Sequence, residues 1–293
     1  MNAFKSGTVA IAGKPNAGKS TLMNALVGAE LSIVTYKPQT TRRRVLGIRT
    51  AEDHQIVFLD TPGLIEPSYA LQTAMMKTAR ESMEAAEAVV WMTDVSESGP
   101  DAFCVPALKG LNVPALAALN KIDKVAADAL PPAVERLKGL GIFREVIPVS
   151  AAKGDGLDRL VQCLLGILPA GGPLYPEDSL SDEPERFFVS EIIRKQVLLR
   201  YREEIPYSCE VRIEAFEERP GRKDRIAAVV FTEHESQKGI LIGRAGEALK
   251  AVGQASRREI EAFLGRPVYL ELFVKVRPKW RRSPGSLREF GYT

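Results

Sequence analysis

The sequence predicts two folded domains: an α/β domain whose mostly parallel sheet carries helices on both faces, then a smaller α+β domain. Three observations support this. Between residues 8 and 168, short and continuously apolar runs alternate with segments of helical period, the pattern of strands buried on both faces. Clusters rich in Gly, Asp, Asn and Ser fall at the C-terminal ends of those runs, where such sheets bind ligands. After a Pro- and Gly-rich interruption, the order becomes helix, two strands, two helices and a strand.

Strands are expected near residues 8–13, 45–51, 55–60, 88–94, 114–120 and 145–150, with helices near 19–27, 71–86, 101–109, 130–139 and 157–168. Residues 1–168 then form the first domain. Pro169, Gly171, Gly172, Pro173, Pro176 and Pro184, with scattered acidic residues between them, show no apolar period, so 169–184 reads as a linker. In the second domain, 185–293, a helix is expected over 185–204, with strands over 208–217 and 225–235. A short helix over 238–242, a longer one to about 264 and a strand over 267–276 follow.

The 293 residues suffice for two cores. An apolar content of 45% with 26% charged residues is ordinary for a water-soluble globular chain. No run approaches the ~18 uninterrupted apolar residues of a membrane span, and the N-terminus leads straight into the first strand, which argues against a removable leader. Cys104, Cys163 and Cys209 are widely spaced and read as reduced small hydrophobes of a cytoplasmic protein. His54 and His234 are too isolated for a metal site. A net charge of +3 excludes nothing by itself; its distribution is more informative.

Residues 13–20 read G-K-P-N-A-G-K-S, between a strand-like and a helix-like run, which is the context a phosphate loop requires. Gly13 and Gly18 permit the tight turn that faces successive N–H groups toward phosphates, and the following helix adds its N-terminal partial charge. Lys14, Pro15, Asn16, Ala17 and Thr21 complete the loop, with Lys19 aimed at the β- and γ-phosphates and Ser20 at Mg²⁺. Asp60, Thr61, Pro62, Gly63 and Leu64 end another strand-like run. There the Asp60 carboxylate can hold a Mg²⁺-bound water and the Gly63 N–H can meet a γ-phosphate. Asn120, Lys121, Ile122 and Asp123 end a third. The Asp123 carboxylate can accept from the guanine ring N–H and its 2-amino group, and adenine offers neither donor. Asn120 should bond the base and tie two loops together, and the Lys121 stem should cover the ring face. Ser150, Ala151 and Ala152 follow the last strand-like run, with the Ala151 N–H placed for guanine O6. GTP and GDP are the expected nucleotides.

These residues resemble the five G motifs of the Ras-like GTPases. More narrowly, residues 13–20, Q-T-T-R at 39–42 and D-T-P-G-L at 60–64 resemble the Era family of bacterial GTPases. The resemblance implies Thr41 as the switch I ligand of Mg²⁺, with Thr40 as the alternative, and puts Lys19, Thr41, Asp60 and Gly63 at the chemistry. Leu64 stands where Ras carries the Gln that orients water, and Arg42, Arg43 and Arg44 read as a solvated basic stretch. Intrinsic hydrolysis is therefore expected to be slow. Relatives with Asn at the position of Asn16 use it to help bind K⁺; a turn residue bonding its own backbone is the alternative.

In the second domain the order α-β-β-α-α-β, with Gly243-Arg244-Ala245-Gly246 between two helices, resembles a type II KH domain. Two residues without Cβ let a nucleic-acid backbone approach, Arg244 adds a phosphate contact, and the apolar edge ending at Ile242 would accept unstacked bases. Lys275, Arg277, Lys279, Arg281 and Arg282 surround Trp280 in a tail free of acidic residues up to Arg288. That composition suits phosphate contact with base stacking; a Trp280 packed on the last strand is the alternative. Lys250, Arg257 and Arg258 on the preceding helix extend the basic patch or form that helix's solvent face.

Taken over its full length, the chain resembles the Era family: GTPase domain, short linker, type II KH domain. That implies a monomer in the cytoplasm that binds 16S ribosomal RNA near its 3′ end during maturation of the 30S subunit precursor. The family also associates peripherally with the inner membrane. Two other classes stay open: a signalling GTPase with a protein or membrane-surface partner, and an RNA-binding protein that senses GTP without meaningful turnover.

Overall fold

The computed structural model describes residues 3–97 and 103–292. The start of the helix expected over 101–109 lies outside the described residues. Residues 3–68, 72–97 and 103–182 form one compact unit and residues 183–292 make up the body of a second.

The first unit runs β1 (Lys5–Gly13), α1 (Lys19–Val27), β2 (Val45–Thr50), β3 (His54–Asp60), α2 (Ala70–Ala85) and β4 (Ala88–Asp94). It continues through α3 (Cys104–Lys109), β5 (Ala115–Asn120), α4 (Leu130–Lys138), β6 (Glu145–Pro148) and α5 (Leu157–Leu165). The sheet order is β2-β3-β1-β4-β5-β6. Every pairing is parallel except β2 with β3. Every residue of β3 and β5 is buried, which accounts for the apolar runs at 56–59 and 115–119 within them. Chain order reverses across β1, between β3 and β4, so the crevice of this fold opens at the C-terminal end of β1.

The segment read as a linker lies against the sheet as a strap over much of its length. Gly171 donates to the Phe4 carbonyl at 3.0 Å, and Ser6 to that of Pro169 at 3.3 Å. Gln55, wholly buried, grips the strap through its side-chain amide. Its Oε1 accepts from the Leu174 and Tyr175 amides at 2.7 and 2.9 Å, and its Nε2 donates to Tyr175 O at 2.9 Å. Further on, Ile48 of β2 donates to Leu180 O at 2.8 Å and Ser181 Oγ donates to Leu46 O at 2.6 Å. Prolines removed the periodic signal, while the bonds that fix the strap go to β1, β2 and β3, all far away in sequence.

The second unit runs α6 (Glu185–Arg200), α7 (Ile205–Ser208), β7 (Glu210–Glu217), β8 (Asp224–Thr232), α8 (Glu235–Ile242), α9 (Glu247–Leu264), β9 (Val268–Val276) and α10 (Pro284–Glu289). β8 is central, antiparallel to β7 and parallel to β9. Val189, Ile193 and Val197 of α6 meet Ile226, Ala228 and Val230 of β8 and Val252 and Ile260 of α9 in one core. The helix expected over 185–204 stops at Arg200 because Tyr201 turns to an extended conformation and its hydroxyl donates to Leu241 O at 2.7 Å. Among the described residues, no helix is long and apolar enough to cross a membrane.

Candidate nucleotide site and nucleic-acid interface

The phosphate loop forms as its residue types require. Gly13 has φ +148°, and a Cβ there would lie 2.3 Å from the Met92 carbonyl oxygen; at Gly18, φ +101°, it would lie 2.3 Å from Asn120 Nδ2. Only glycine lets the loop nest against β4 and β5. Lys19 closes the loop, its Nζ donating to Gly13 O at 3.1 Å and Lys14 O at 2.7 Å. Burial lowers its pKa to about 8 against the opposing attraction of Asp60.

Three hard oxygen donors meet beneath it. Ser20 Oγ donates to Asp60 Oδ2 at 2.7 Å, Thr41 Oγ1 donates to the same oxygen at 3.2 Å, and the two hydroxyls are 3.0 Å apart. Asp60 is fully buried, and that burial pushes its carboxyl above the usual carboxylate range. Its Oδ1 has no hydrogen-bond partner among the described residues. A buried carboxylate with a spare oxygen, flanked by two hydroxyls, fits a hard divalent cation such as Mg²⁺. The neighbouring Thr40 turns its hydroxyl to the Lys37 carbonyl at 2.7 Å. Of the two threonines left open by sequence, Thr41 meets Asp60 and Ser20, while Thr40 lines the same cleft.

The base-facing loops interlock. Asn120 Nδ2 donates to Ala17 O at 2.8 Å while its Oδ1 accepts the Ala151 N–H at 3.0 Å, which ties the phosphate loop to the loop after β6. The Ala151 N–H, expected at guanine O6, here meets the Asn120 side chain. Asp123 Oδ1 accepts from Ser150 Oγ at 2.7 Å, and that hydroxyl holds its carboxyl below the ordinary range. Thr61 and Leu64 also differ from expectation. Thr61 is buried with its hydroxyl on Ile11 O at 2.9 Å, and the Leu64 side chain lies in the core while its N–H donates to Gly13 O at 3.0 Å. Both serve the sheet more than the cleft.

Pro15, Asn16, Gly18, Lys19, Ser20, Thr21, Gln39, Thr40, Thr41, Gly63 and Lys121 line a cleft of about 350 Å³. Sequence reasoning missed Ile33, Val34, Thr35, Tyr36 and Lys124 on its wall. The first four lie in an aperiodic stretch before β2, where only position relative to Thr41 could have pointed to them. Arg42, read as solvated, is buried.

In the second unit, Gly243 has φ +71° and a Cβ there would come within 2.6 Å of Ala248 Cβ, while Gly246 sits at φ +80° over open space. One glycine is required by contact and the other by backbone conformation. Arg244, Ala245 and Lys250 stand exposed and Ile242 half-buried. Ile240, 53% exposed beside this loop, had not been singled out.

The tail corrects the expectation most. Trp280 is 0% exposed, its Nε1–H donating to Ser208 O at 2.8 Å and its ring edge-on to Phe290 at 5.3 Å. It therefore cannot stack on a base. Arg281 is engaged by Glu233, and Arg277 by Glu289 and Ser286, so both pin the chain end. Lys275 lies 3.9 Å from Glu214, while Lys279 and Arg282 are exposed. A run free of acidic residues masked partners lying elsewhere in the chain.

A sheet with this switch point, phosphate loop and guanine-directed carboxylate, followed by a G-x-x-G α+β unit, defines a P-loop GTPase joined to a KH domain. The 50S ribosome-binding GTPase family matches residues 8–121 and the KH domain family residues 204–281. The GTPase Era of Staphylococcus haemolyticus is 41% identical over all of this chain and 98% of its own, and that of Heliobacterium modesticaldum is 43% identical with the same coverage. A single-residue variant of Aquifex aeolicus Era bound to GDP.AlF4- superposes with a TM-score of 0.94 at 40% identity, over 99% of this chain and 100% of that one. Era in complex with MgGDPNP and nucleotides 1506-1542 of 16S ribosomal RNA also gives 0.94, at 41% identity and 99% coverage of both. The chain belongs to the Era family of GTPases.

Proposed function

We propose that this GTPase binds 16S rRNA near its 3′ end through the second domain and acts in the cytoplasm on precursors of the 30S subunit. The observation that carries the reading is the full-length likeness to the Era complex with MgGDPNP and 16S rRNA nucleotides, together with an exposed Arg244–Ala245 loop and a nucleotide cleft in one chain. Backbone amides of residues 13–20 and the Lys19 ammonium would hold the triphosphate, and Asp123 would accept the guanine N–H donors. Ser20, Thr41 and Asp60 would hold Mg²⁺, which supplies charge neutralisation at the phosphates. Lys19 stabilises charge on the γ-phosphoryl oxygens as water attacks in line, and the Gly63 N–H faces the same group. No side chain at Leu64 can orient that water, so turnover is slow. Asn16, on the cleft wall with φ +63°, would contribute to a K⁺ site; equal turnover in sodium and potassium buffers removes that element.

The experiment is RNA crosslinking in cells with the parent and a Lys19→Ala variant. Enrichment over the 3′ end of 16S rRNA that depends on the intact nucleotide site supports the assembly role. Reads scattered over messenger RNA, or recovery with membrane lipid and no ribosomal RNA, would overturn it.

A further inference from the structure

We infer that Asp94, outside the phosphate-loop and guanine motifs, is a positioning residue for guanine: it holds the Lys121 ammonium so that the lysine stem covers the ring and Asp123 stays open to the base. The inference deepens the proposed nucleotide reading and rests on Asp123 facing the guanine edge.

Asp94 ends β4 directly beside Asn120, its register partner on β5, and the Val95 N–H donates to Asn120 O at 2.9 Å. The two strand ends are thereby locked where the base-reading loop begins. Asp94 Oδ2 lies 2.6 Å from Lys121 Nζ, with the two side chains 15% and 26% exposed. Asp94 Oδ1 accepts from the Ser96 amide at 2.9 Å and the Ser96 hydroxyl at 2.7 Å. The carboxylate is thus fixed by its own turn before it meets the lysine. Burial would raise the Asp94 pKa, but the bonds from Lys121 and Ser96 outweigh it and hold the group charged.

Lys121 itself has φ +67° and lines the cleft. A lysine has four rotatable bonds, and ordering its stem over a ring face costs conformational entropy at the moment of binding. The Asp94 pair removes much of that cost in advance. It also sorts charge. Asp123 lies two residues from Lys121, and an untethered ammonium could pair with the carboxylate that must accept the guanine N1–H and 2-amino group. With Lys121 on Asp94 and Ser150 on one oxygen of Asp123, the remaining acceptor capacity of Asp123 is directed at the base.

The test is stopped-flow release of a fluorescent GDP from full-length protein, with competition by GTP and ITP, which lacks the 2-amino group. Asp94→Asn is expected to speed release by about tenfold, raise KM with kcat nearly unchanged and shrink the GTP-over-ITP preference by severalfold. In a Lys121→Met background, which keeps the stem and removes the charge, the same change should add less than about twofold, because the partner is already gone. A preference unchanged by Asp94→Asn would overturn the inference even if melting temperature fell, as would equal effects in the two backgrounds. Asp123→Asn is run alongside: if it too retains the preference, the reading of the guanine site itself fails.

Discussion

Replacing Trp280 by Phe separates a core role from a nucleic-acid role. The indole is 0% exposed and gives its N–H to Ser208 O at 2.8 Å, so phenylalanine leaves that buried carbonyl without its donor. Stranding such a group costs about 1–3 kcal/mol, and the smaller ring loses contact with Phe290 and Tyr292, worth roughly another 1 kcal/mol. A total near 2–4 kcal/mol lowers the melting temperature of a unit of this size by roughly 10–15 °C. Scanning calorimetry of the full chain reads this shift. Affinity of the folded protein for a single-stranded RNA matching the 3′ end of 16S rRNA should stay within about twofold, since a stacked base is worth about 1–3 kcal/mol and none stacks here. A variant that melts normally and binds that RNA tenfold more weakly or worse would refute the reasoning.

Thr41→Ala should lower Mg²⁺-dependent kcat/KM by roughly a hundredfold and Thr40→Ala by less than tenfold; equal losses in a phosphate-release assay would contradict the division of the pair. Gln55→Ala removes four hydrogen bonds at a buried site, a loss of about 2–4 kcal/mol. Hydrogen exchange should show the amides of residues 174–180 opening, and unchanged protection there would argue against the grip. Asp224 is held below the ordinary carboxylate range by the Arg266 guanidinium and then by the Arg219 amide. Its folded pKa being the lower one, its contribution is complete above the unfolded value of about 3.9 and is lost as pH falls through the folded value. The second unit's melting temperature should therefore drop below about pH 4, and Asp224→Asn should flatten that drop.

Most of the fold could be read from the chain because parallel strands covered on both faces leave apolar runs, as at 56–59 in β3 and 115–119 in β5. The G-x-x-G loop was legible for a similar reason: its steric demand lies within a few consecutive residues. Boundaries shifted where a remote partner decided them, as at Tyr201, whose hydroxyl reaches Leu241. The 169–182 strap was invisible because its bonds run to β1, β2 and β3.

What sequence determined alone was the local chemistry: the glycines that turn residues 13–20, the lysine and serine that follow, the carboxylates at strand ends. Residue type and φ are enough to specify such features. What only tertiary structure decided was company: Thr41 rather than Thr40 on Asp60, Lys121 on Asp94, Trp280 in the core, Arg277 and Arg281 neutralised. Those outcomes depend on which remote groups share a low-dielectric contact, and strand register and burial set that across separations that no local pattern encodes.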